Sequence, residues 1–456
     1  RARCAHMRMR LFVVLLAAIV LGNALLGIRL LGVDAAEPPE DATGYRDITT
    51  FTRALQLIRQ DYVDAGKVSY RDLIYAALRG MLDSLDPHSQ FMEPEELTSM
   101  QENTRGDFGG IGVVVSLRDG VLTVVSPMEG TPGFEAGLLP GDQIIKINGT
   151  ATDTMDLTEA VSLLRGEPGK PVTLTILRPS NSEIKDFEIV REIIPVDSVR
   201  DVRMLDGGGS DGLRIGYVRI TQFSQPTADE LREALGDLRA RGMQALILDL
   251  RNNPGGLLDS ARDVCSLFLD PGRMVVYTEG RLPSQKEVYR TPTDYQSPSR
   301  YPLAVLINNG SASGSEIVAG ALKDLNRALL VGETSFGKGS VQSVIELNDG
   351  SALRLTTAKY YTPARRVIHE NGVEPHIRVT PTPEQERDAL LLRRYDYLSA
   401  EERAEAEDAV DIQLERAVEA LRGLATYAGA VGAPSLPGVE FQLAREAAAG
   451  ADDSGQ

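Results

Sequence analysis

Two kinds of residue that can perform nucleophilic chemistry lie within residues 303–347. A serine-rich turn, SASG, occupies residues 311–314, and a lysine flanked by glycines, Lys338, follows it. A hydroxyl on Ser311 or Ser313 is a candidate nucleophile, and Lys338 is a candidate base that would activate it. The pattern therefore predicts a serine hydrolase site.

Lys338 must remove the serine proton, because no histidine lies in a suitable motif. A lysine acts as a base only when it is neutral, and lowering its pKa from about 10.4 to near 7 requires roughly 4.6 kcal/mol of preferential destabilisation of the charged form. Burial can supply this energy, and the apolar neighbours Phe336, Val341 and Val344 permit burial. An isolated lysine of this kind would instead lie in an exposed loop.

The surrounding segments predict how these groups are positioned. LAVLIN (303–308) is typical of a buried strand, and residues 315–325 have apolar side chains at helical spacing. The serine turn therefore lies at a strand-to-helix corner, where free backbone N–H groups favour developing negative charge. ALLVG (328–332) and VQSVIEL (341–347) indicate two further strands, joined by the loop that carries Lys338.

The loop GETSFGKG (332–339) also fits the first part of a phosphate-binding G-x-x-x-x-G-K motif. Two features argue against that interpretation. Gly339 stands where a magnesium-binding hydroxyl belongs, and the next segment resembles a strand, whereas phosphate binding needs a helix N-terminus. We therefore set the nucleotide-binding interpretation aside.

Composition narrows the class of protein. The chain has 456 residues, 42% of them hydrophobic, which is enough for two to four domains. A net charge of −17 argues against a nucleic-acid partner. Cys4 and Cys265 imply no disulfide framework. The four histidines lack metal-ligand spacing, so we expect no metal and no cofactor; they are His6, His88, His369 and His376.

Residues 1–36 have the pattern of a signal peptide or membrane anchor. Four arginines in residues 1–10 precede an 18-residue stretch from Leu11 to Ile28 that is apolar except for Asn23, and VDAA (33–36) resembles a cleavage site. This pattern predicts an exported chain in the periplasm or cell envelope, with membrane contact through the N-terminal segment.

The rest of the chain divides by pattern, and the fold class expected is mixed α/β. Residues 47–100 indicate helices, with His88 assigned to packing, and short strands follow. Later, alternating strands and helices predict a mostly parallel sheet with its site at the carboxyl ends of the strands, where NNPGG (252–256) and the serine turn both fall. The expected divisions are a helical region at 37–103, a strand-rich domain at 104–195, an α/β core at 196–383, a helical region at 384–425 suited to packing or oligomerisation, and a partly disordered tail at 426–456.

Residues 104–195 resemble a PDZ domain. The resemblance lies in GGIGV (109–113), in TPGFEAGLLPGDQIIKING (131–149) and in a late helix that ends at LLRG (163–166). It implies a groove in which backbone N–H groups bind a peptide carboxylate and a strand pairs with the peptide. Taken alone, the glycines would fit a β-bulge equally well. The implied groove residues are Gly109, Gly110, Ile111, Gly112 and Val113.

The core resembles the C-terminal processing (tail-specific) peptidases, a serine–lysine dyad family of bacteria and chloroplasts. The matching motifs are SASGSE (311–316), GKG (337–339) and DLRNNPGG (249–256). The resemblance extends over nearly the whole chain, including LDSLDPHSQFM (82–92). The resemblance distinguishes Ser313, the second serine of its motif, from Ser311. The residues alone do not distinguish them.

Residue roles follow from this resemblance. It implies that Ser313 is the nucleophile, Lys338 the general base and Gln342 the group that orients the lysine. It further implies an oxyanion hole from the N–H groups of Gly256 and Gly314. In some family members an arginine at the end of the PDZ helix couples substrate binding to assembly of the site. Here that arginine corresponds to Arg165.

The expected function is an exported serine endopeptidase that binds protein or peptide C-termini in its PDZ groove and cleaves through an acyl-enzyme. Helical termini suggest a homo-oligomer. Two departures from the family pattern are Gly314, where alanine is usual, and His376, which ends a G-V-E-P-H stretch and is interpreted as structural. These departures support one alternative, an inactive PDZ scaffold.

Overall fold

The structure is a computed structural model that describes residues 40–118, 120–205, 212–293, 300–393, 403, 406 and 408–430. The expected export segment, residues 1–36, and the end of the chain from residue 431 lie outside the described residues. One compact unit ends at Leu85 and a second begins at Asp86. Within the described ranges, no helix combines the length and the apolar character needed to cross a membrane.

The helices, numbered in chain order, are α1 Glu40–Asp61, α2 Tyr70–Asp83, α3 Pro94–Arg105, α4 Pro132–Glu135, α5 Leu157–Leu164, α6 Thr227–Ala240, α7 Leu258–Ser266, α8 Gly314–Asp324, α9 Pro383–Arg393 and α10 Ile412–Ala430. The strands are β1 Gln90–Met92, β2 Asp107–Gly110, β3 Val113–Arg118, β4 Val121–Pro127, β5 Gln143–Ile147, β6 Thr150–Ala151, β7 Pro171–Arg178, β8 Glu183–Val190, β9 Glu192–Pro195, β10 Val199–Leu205, β11 Ile215–Ile220, β12 Ala245–Asp249, β13 Met274–Gly280, β14 Glu287–Arg290, β15 Leu303–Ile307, β16 Leu329–Gly332, β17 Ser340–Glu346, β18 Ala352–Tyr361 and β19 Ile377–Arg378.

The first unit contains α1 and α2. The side chain of Ser69 caps α2 by accepting the backbone N–H of Asp72 at 3.1 Å, which satisfies one of the free donors at a helix start. The Arg59 guanidinium lies 3.6 Å from the centre of the Tyr70 ring, a cation–π contact between the two segments. This unit therefore has its own internal contacts.

The central sheet has six strands in the order β10, β11, β12, β15, β16 and β19. The strands from β11 to β19 are parallel, and β10 is the antiparallel edge. All five residues of β12 and of β15 are buried, because helices cover both faces. One face packs against α6, α7 and α8, and the other packs against Ala417 and Leu421 of α10. The structure confirms the predicted α/β core.

A second, antiparallel sheet lies beside this core and contains β1, β18, β13 and β14, with β17 also paired to β18. The strand β1 corrects the prediction that residues 47–100 are helical. Its three residues pair with β18 in the register Gln90 to Arg354 and Met92 to Ala352. Such a short strand owes its conformation to a partner distant in the sequence, so local periodicity does not reveal it.

The inserted domain is a sheet in the order β3, β4, β5, β7 and β8, with α5 packed against it and a separate apolar core. The chain enters and leaves through β2 and β9, which pair antiparallel with Asp107 opposite Pro195. We call this two-stranded ladder the neck. The short strands and the late helix expected for residues 104–195 are present, together with the one-turn helix α4.

Candidate active site

The candidate site residues lie at one edge of the central sheet, in the loops that follow three neighbouring parallel strands. The loop after β12 contains Gly256, the turn after β15 contains Ser313, and the loop after β16 contains Lys338. Because parallel strands end at the same edge, these three loops converge. They line a cleft of about 550 Å³, together with Gln342 of β17 and Tyr360 of β18.

Ser313 occupies a strained corner between β15 and α8. Its φ is 52° and its ψ is −110°, a conformation that a residue with a Cβ rarely adopts. Strain of this kind persists where the surrounding structure imposes it, and it is concentrated at functional sites. The corner projects the Ser313 side chain into the cleft. A strand–serine–helix turn of this form is how hydrolases expose a nucleophile.

The other two serines of the turn have structural partners. The Ser311 hydroxyl donates to the carbonyl of Leu250 at 2.8 Å and accepts the N–H of Asn308 at 3.0 Å. The Ser315 hydroxyl donates to the carbonyl of Asn253 at 2.9 Å. Both residues are fully buried. The geometry thus favours Ser313 over Ser311 independently of any family resemblance.

Lys338 is half-buried and lines the same cleft. Its pKa lies below the ordinary lysine value, first because of burial and then because of the positive charge of Arg354, while the carboxylate of Glu316 acts in the opposite direction. The shift is in the direction that a general base requires. Tyr360 lines the same cleft, and burial raises the pKa of its hydroxyl to about 12, with the neighbouring Ser313 side chain acting in the opposite direction. Among the described contacts, no hydrogen bond joins Ser313 to Lys338.

Glu316 connects the serine turn to the lysine loop and was not singled out by the sequence analysis. Its fully buried carboxylate accepts the backbone N–H of Ser313 at 2.8 Å, of Gly337 at 2.7 Å and of Lys338 at 2.9 Å, and the Ser335 hydroxyl at 2.5 Å. Burial raises the pKa of Glu316, and these hydrogen bonds oppose that effect. The spacing Ser313-x-x-Glu316 before an apolar helix is the capping-box signature that could have identified it.

The loop NNPGG brings backbone very close to the serine turn. A Cβ on Gly255 would lie 2.6 Å from Ser313 Cβ, and a Cβ on Gly256 would lie 2.1 Å from the carbonyl oxygen of Phe223. Both glycines have positive φ, 101° and 145°. A parallel bridge to Phe223 uses the carbonyl of Gly255 and the N–H of Leu257, so the N–H of Gly256 takes no part in it. Gly314 begins α8, where its N–H has no partner within the helix.

Gln342 lies in β17 beside this cleft. Its Nε2 donates to the hydroxyls of Thr356 at 2.9 Å and Ser340 at 3.2 Å. Its Oε1 is buried and has no hydrogen-bond partner among the described residues. An unpartnered buried acceptor of this kind costs free energy unless a donor reaches it.

The remaining predicted residues lie in or near the inserted domain. Gly109 and Gly110 belong to the neck, where a Cβ on Gly109 would lie 2.1 Å from the carbonyl oxygen of Gly166; these glycines allow close packing against the end of α5. Ile111 and Gly112 connect the neck to β3, which begins at Val113 and forms the outer edge of its sheet. This edge lies next to α5.

Arg165 ends α5 and contacts the part of the chain that borders the catalytic cleft. Its guanidinium lies 4.3 Å from the centre of the Phe108 ring and 3.8 Å from the carboxylate of Glu102 in α3. The same helix α3 contributes Met100 and Asn103 to the cleft lining. Arg165 is therefore outside the cleft but one helix away from it.

Two histidines, His376 and His88, can be compared with the structural roles predicted for them. His376 accepts the N–H of Leu330 through Nδ1 at 3.0 Å, which is a structural contact within the central sheet. His88 lies close enough to Lys338 for the lysine charge to lower its pKa, an effect that follows burial in importance. Among the described residues, no group of three or more histidine, cysteine, aspartate or glutamate side chains is arranged to hold a metal ion.

Comparison with known proteins gives consistent results across both domains. Residues 214–379 match peptidase family S41, and residues 123–178 match a PDZ domain. The chain is 42% identical over 347 residues to the carboxy-terminal-processing protease of Bartonella bacilliformis, covering 75% of this chain and 77% of that protein. It is 38% identical over 372 residues to the carboxy-terminal processing protease CtpA of Bacillus subtilis, covering 80% and 76%. The solved photosystem II D1 C-terminal processing protease is 30% identical and covers 73% of this chain and 93% of its own, with a TM-score of 0.44.

Proposed function

Because the chain belongs to peptidase family S41 and is a serine protease related to carboxy-terminal processing proteases, we propose that Ser313 and Lys338 form its catalytic dyad. The main support is that both side chains line one cleft, with Ser313 on a strained corner and the pKa of Lys338 lowered by burial. Protein chains are the substrates, since the peptidase core carries a peptide-binding PDZ domain.

The first chemical step joins Ser313 Oγ to the carbonyl carbon of the scissile bond. Neutral Lys338 Nζ takes the hydroxyl proton as this bond forms, and it then gives a proton to the departing amine, which leaves an acyl-enzyme. Water hydrolyses that ester, with Lys338 again accepting the proton. The step requires the Ser313 hydroxyl to point toward Lys338, which lines the same cleft.

The negative oxygen that develops in this step is stabilised by the N–H groups of Gly256 and Gly314. Gly314 starts α8, so its N–H carries the partial positive charge of a helix N-terminus. The N–H of Gly256 is held by the bridge to Phe223 without being used in it. A single donor of this type is worth roughly 10²- to 10³-fold in kcat.

The substrate C-terminus binds beside β3. The outer edge of β3 is free to pair with an extended peptide, and α5 forms the opposite wall of the groove. Ile111, Gly112 and Val113 lie where the carboxylate would bind. Gly109 and Gly110 pack in the neck and thereby fix the position of the segment that leads to β3.

Arg165 couples the groove to the cleft. A peptide between β3 and α5 contacts the end of α5, where Arg165 lies. Arg165 pairs with Glu102 of α3. The same helix contributes Met100 and Asn103 to the cleft lining. We expect Arg165→Ala to reduce the acceleration that a preferred C-terminus gives, while Arg165→Lys retains part of it. Turnover and C-terminal preference that both equal those of the unaltered chain would contradict this coupling.

Location and self-association also belong to the proposal. The sequence pattern of residues 1–36 supports export to the periplasm or cell envelope, with membrane contact through that segment. Tyr45, Ile48 and Phe51 of α1 are at least half exposed and share one face of the helix, which supports pairing of two copies. Light scattering of Phe51→Glu against the unaltered chain tests this pairing, and an unchanged mass would contradict it.

Proteolysis of an unfolded protein by the full chain tests the dyad. Ser313→Ala and Lys338→Ala should each lower turnover by at least about 10³-fold, whereas Ser311→Ala should lose stability and keep the chemistry. A fluorophosphonate should label the unaltered chain at Ser313. Turnover that survives either dyad substitution would overturn the assignment.

A further inference from the structure

A chain of hydrogen bonds runs from Asp86 to the catalytic cleft. The Thr356 hydroxyl donates to Asp86 Oδ1 at 3.1 Å, and Gln342 Nε2 donates to Thr356 Oγ1 at 2.9 Å. Asp86 lies in the loop between α2 and β1, whereas Thr356 and Gln342 face each other on β18 and β17. The contact therefore joins the DPHS segment to the strand that carries Gln342.

The ionised carboxylate of Asp86 sets the direction of the Thr356 hydroxyl proton. Burial raises the pKa of Asp86, but hydrogen bonds from the Ser89 side chain, from two backbone N–H groups and from Thr356 together lower it, so the carboxylate is ionised and only accepts. The Ser89 hydroxyl donates to Asp86 Oδ2 at 2.7 Å. The single hydroxyl proton of Thr356 is therefore directed to Oδ1.

The direction of the Thr356 proton fixes the Gln342 amide. Once its proton is committed to Asp86, Thr356 Oγ1 can only accept a hydrogen bond from Gln342, so the amide must present its NH₂ group to Thr356. The amide oxygen then points the other way. That oxygen is the buried atom without a hydrogen-bond partner among the described residues, and Gln342 lines the cleft with Lys338.

We propose that Asp86 and Thr356 are positioning residues, which hold the Gln342 amide with its oxygen toward Lys338. Gln342 Oε1 then accepts a hydrogen bond from Lys338 Nζ and turns the amine lone pair toward Ser313. This inference rests on the proposed function. It extends the catalytic arrangement to a segment that lies more than 220 residues before the nucleophile in the sequence.

Loss of this arrangement should lower the pKa of Lys338, whereas a general loosening of the fold would raise it. An amide oxygen at Lys338 favours the charged lysine, whereas an amide NH₂ group opposes it. When Thr356 no longer accepts, only the Ser340 hydroxyl at 3.2 Å still contacts the amide. A hydroxyl can accept from the NH₂ group or donate to the amide oxygen, so the amide can turn and the pKa of Lys338 falls. A merely loosened fold would do the reverse, because water entering the cleft would bring the pKa of Lys338 back up. The charged groups that face Lys338 are Arg354 and Glu316, and the titratable His88 lies nearby. A change at Thr356 leaves all three in place.

The test is the pH dependence of kcat and kcat/KM for the full chain on a quenched fluorogenic peptide with a free apolar C-terminus. Thr356→Val should lower kcat by about 10- to 100-fold through misorientation, with little change in KM, and should move the acid limb of the profile to lower pH. Thr356→Ser, which keeps the hydroxyl, should restore both. Asp86→Ala, which removes the acceptor where asparagine would keep an amide oxygen for Thr356, should reproduce the Thr356→Val profile. In a Gln342→Ala background Thr356→Val should have no further effect.

The matched control is Thr357→Val. Thr357 is the next residue of β18, and its hydroxyl makes an equivalent cross-strand bond to Ser343 at 2.7 Å without lining the cleft. It should leave the profile unchanged. An acid limb that moves to higher pH in Thr356→Val, or a loss no larger than that of Thr357→Val, overturns the inference. If Ser313→Ala or Lys338→Ala retains turnover in the same assay, the proposed function itself fails.

Discussion

The carboxylate of Glu316 accepts the backbone N–H of Lys338 at 2.9 Å. Glu316 lies in the first turn of the helix that begins after Ser313, so one buried side chain fixes the distance between that helix and the loop that carries Lys338. It holds Lys338 by the backbone and leaves the amine free. The negative charge that does this also favours charged Lys338, and Arg354 offsets it.

Glu316→Gln should therefore damage both stability and activity. The substitution replaces an acceptor-only carboxylate with a group whose NH₂ faces backbone donors, and buried charge-assisted hydrogen bonds are lost. We expect a cost of about 2 to 4 kcal/mol in the free energy of unfolding and a fall in kcat of roughly 100-fold. Denaturant titration and steady-state kinetics measure these effects.

Ser335→Ala is the control for this prediction. It removes one donor to Glu316 and the acceptor of the Val373 N–H but keeps the carboxylate, so it should cost about 1 to 3 kcal/mol and lower kcat far less than Glu316→Gln. Equal effects of the two substitutions would contradict the role assigned to the Glu316 charge.

Arg354→Gln should move the acid limb of kcat/KM to higher pH. The charge of Arg354 is the second cause, after burial, of the lowered pKa of Lys338. Without it the charged form of Lys338 is less disfavoured, its pKa rises, and a smaller fraction of the lysine is neutral at pH 7. Turnover near neutrality should fall severalfold and recover at alkaline pH. Arg354→Lys preserves the charge and should leave the limb in place; a limb that stays fixed in both variants would refute this explanation.

Gly256→Ala and Gly314→Ala should differ sharply. A Cβ on Gly256 would meet the backbone of Phe223 at 2.1 Å, at a φ of 145° that only glycine readily adopts. We expect the loop to move and kcat to fall by at least about 10²-fold. A Cβ on Gly314 would lie 3.0 Å from Cδ2 of the Phe223 ring, which can shift, and the N–H remains. Kinetics of Gly314→Ala should stay within about threefold of the unaltered chain, since no donor is lost. Similar kcat values for the two variants would argue against an oxyanion role for Gly256.

Asp411→Asn should be strongly destabilising. Asp411 precedes α10 and pairs at 2.7 Å with Arg251, which is itself paired with Asp249, and these three side chains are at least nine-tenths buried. Arg393 also pairs with Asp249 at 3.6 Å, so loss of the Asp411 charge leaves two largely buried cations with one anion, at a cost of about 3 to 5 kcal/mol. Arg416→Ala, which removes an exposed ion pair within α10, should change the free energy of unfolding by less than about 1 kcal/mol. Urea denaturation followed by circular dichroism compares them.

Much of the site could be predicted because the chemistry lies where regular elements end. β12 and β15 are continuous apolar runs, and the glycine-rich and serine-rich turns that follow them were expected at adjacent carboxyl ends. The sequence could not separate Ser311 from Ser313 by residue type, since both are small hydroxyl residues in one turn. Hydrogen bonds with Leu250 and Asn308 separate them in the fold.

Other features depend on contacts that the local sequence does not encode. The strand β1 forms only because β18, far along the chain, provides a partner. The connection of Asp86 through Thr356 to Gln342 spans 270 residues for the first contact alone. Glu316 carried a capping signature, but its hydrogen bonds to the loop at 335–338 require the tertiary fold.

The neck makes the inserted domain a separable part of the chain. Because Asp107 and Pro195 are opposite each other in one ladder, the chain enters and leaves the inserted domain through two adjacent strands. The insertion is thus a removable module: a short turn joining those two positions should leave the hydrolytic apparatus assembled, and a different recognition domain could be attached there without redesigning the protease.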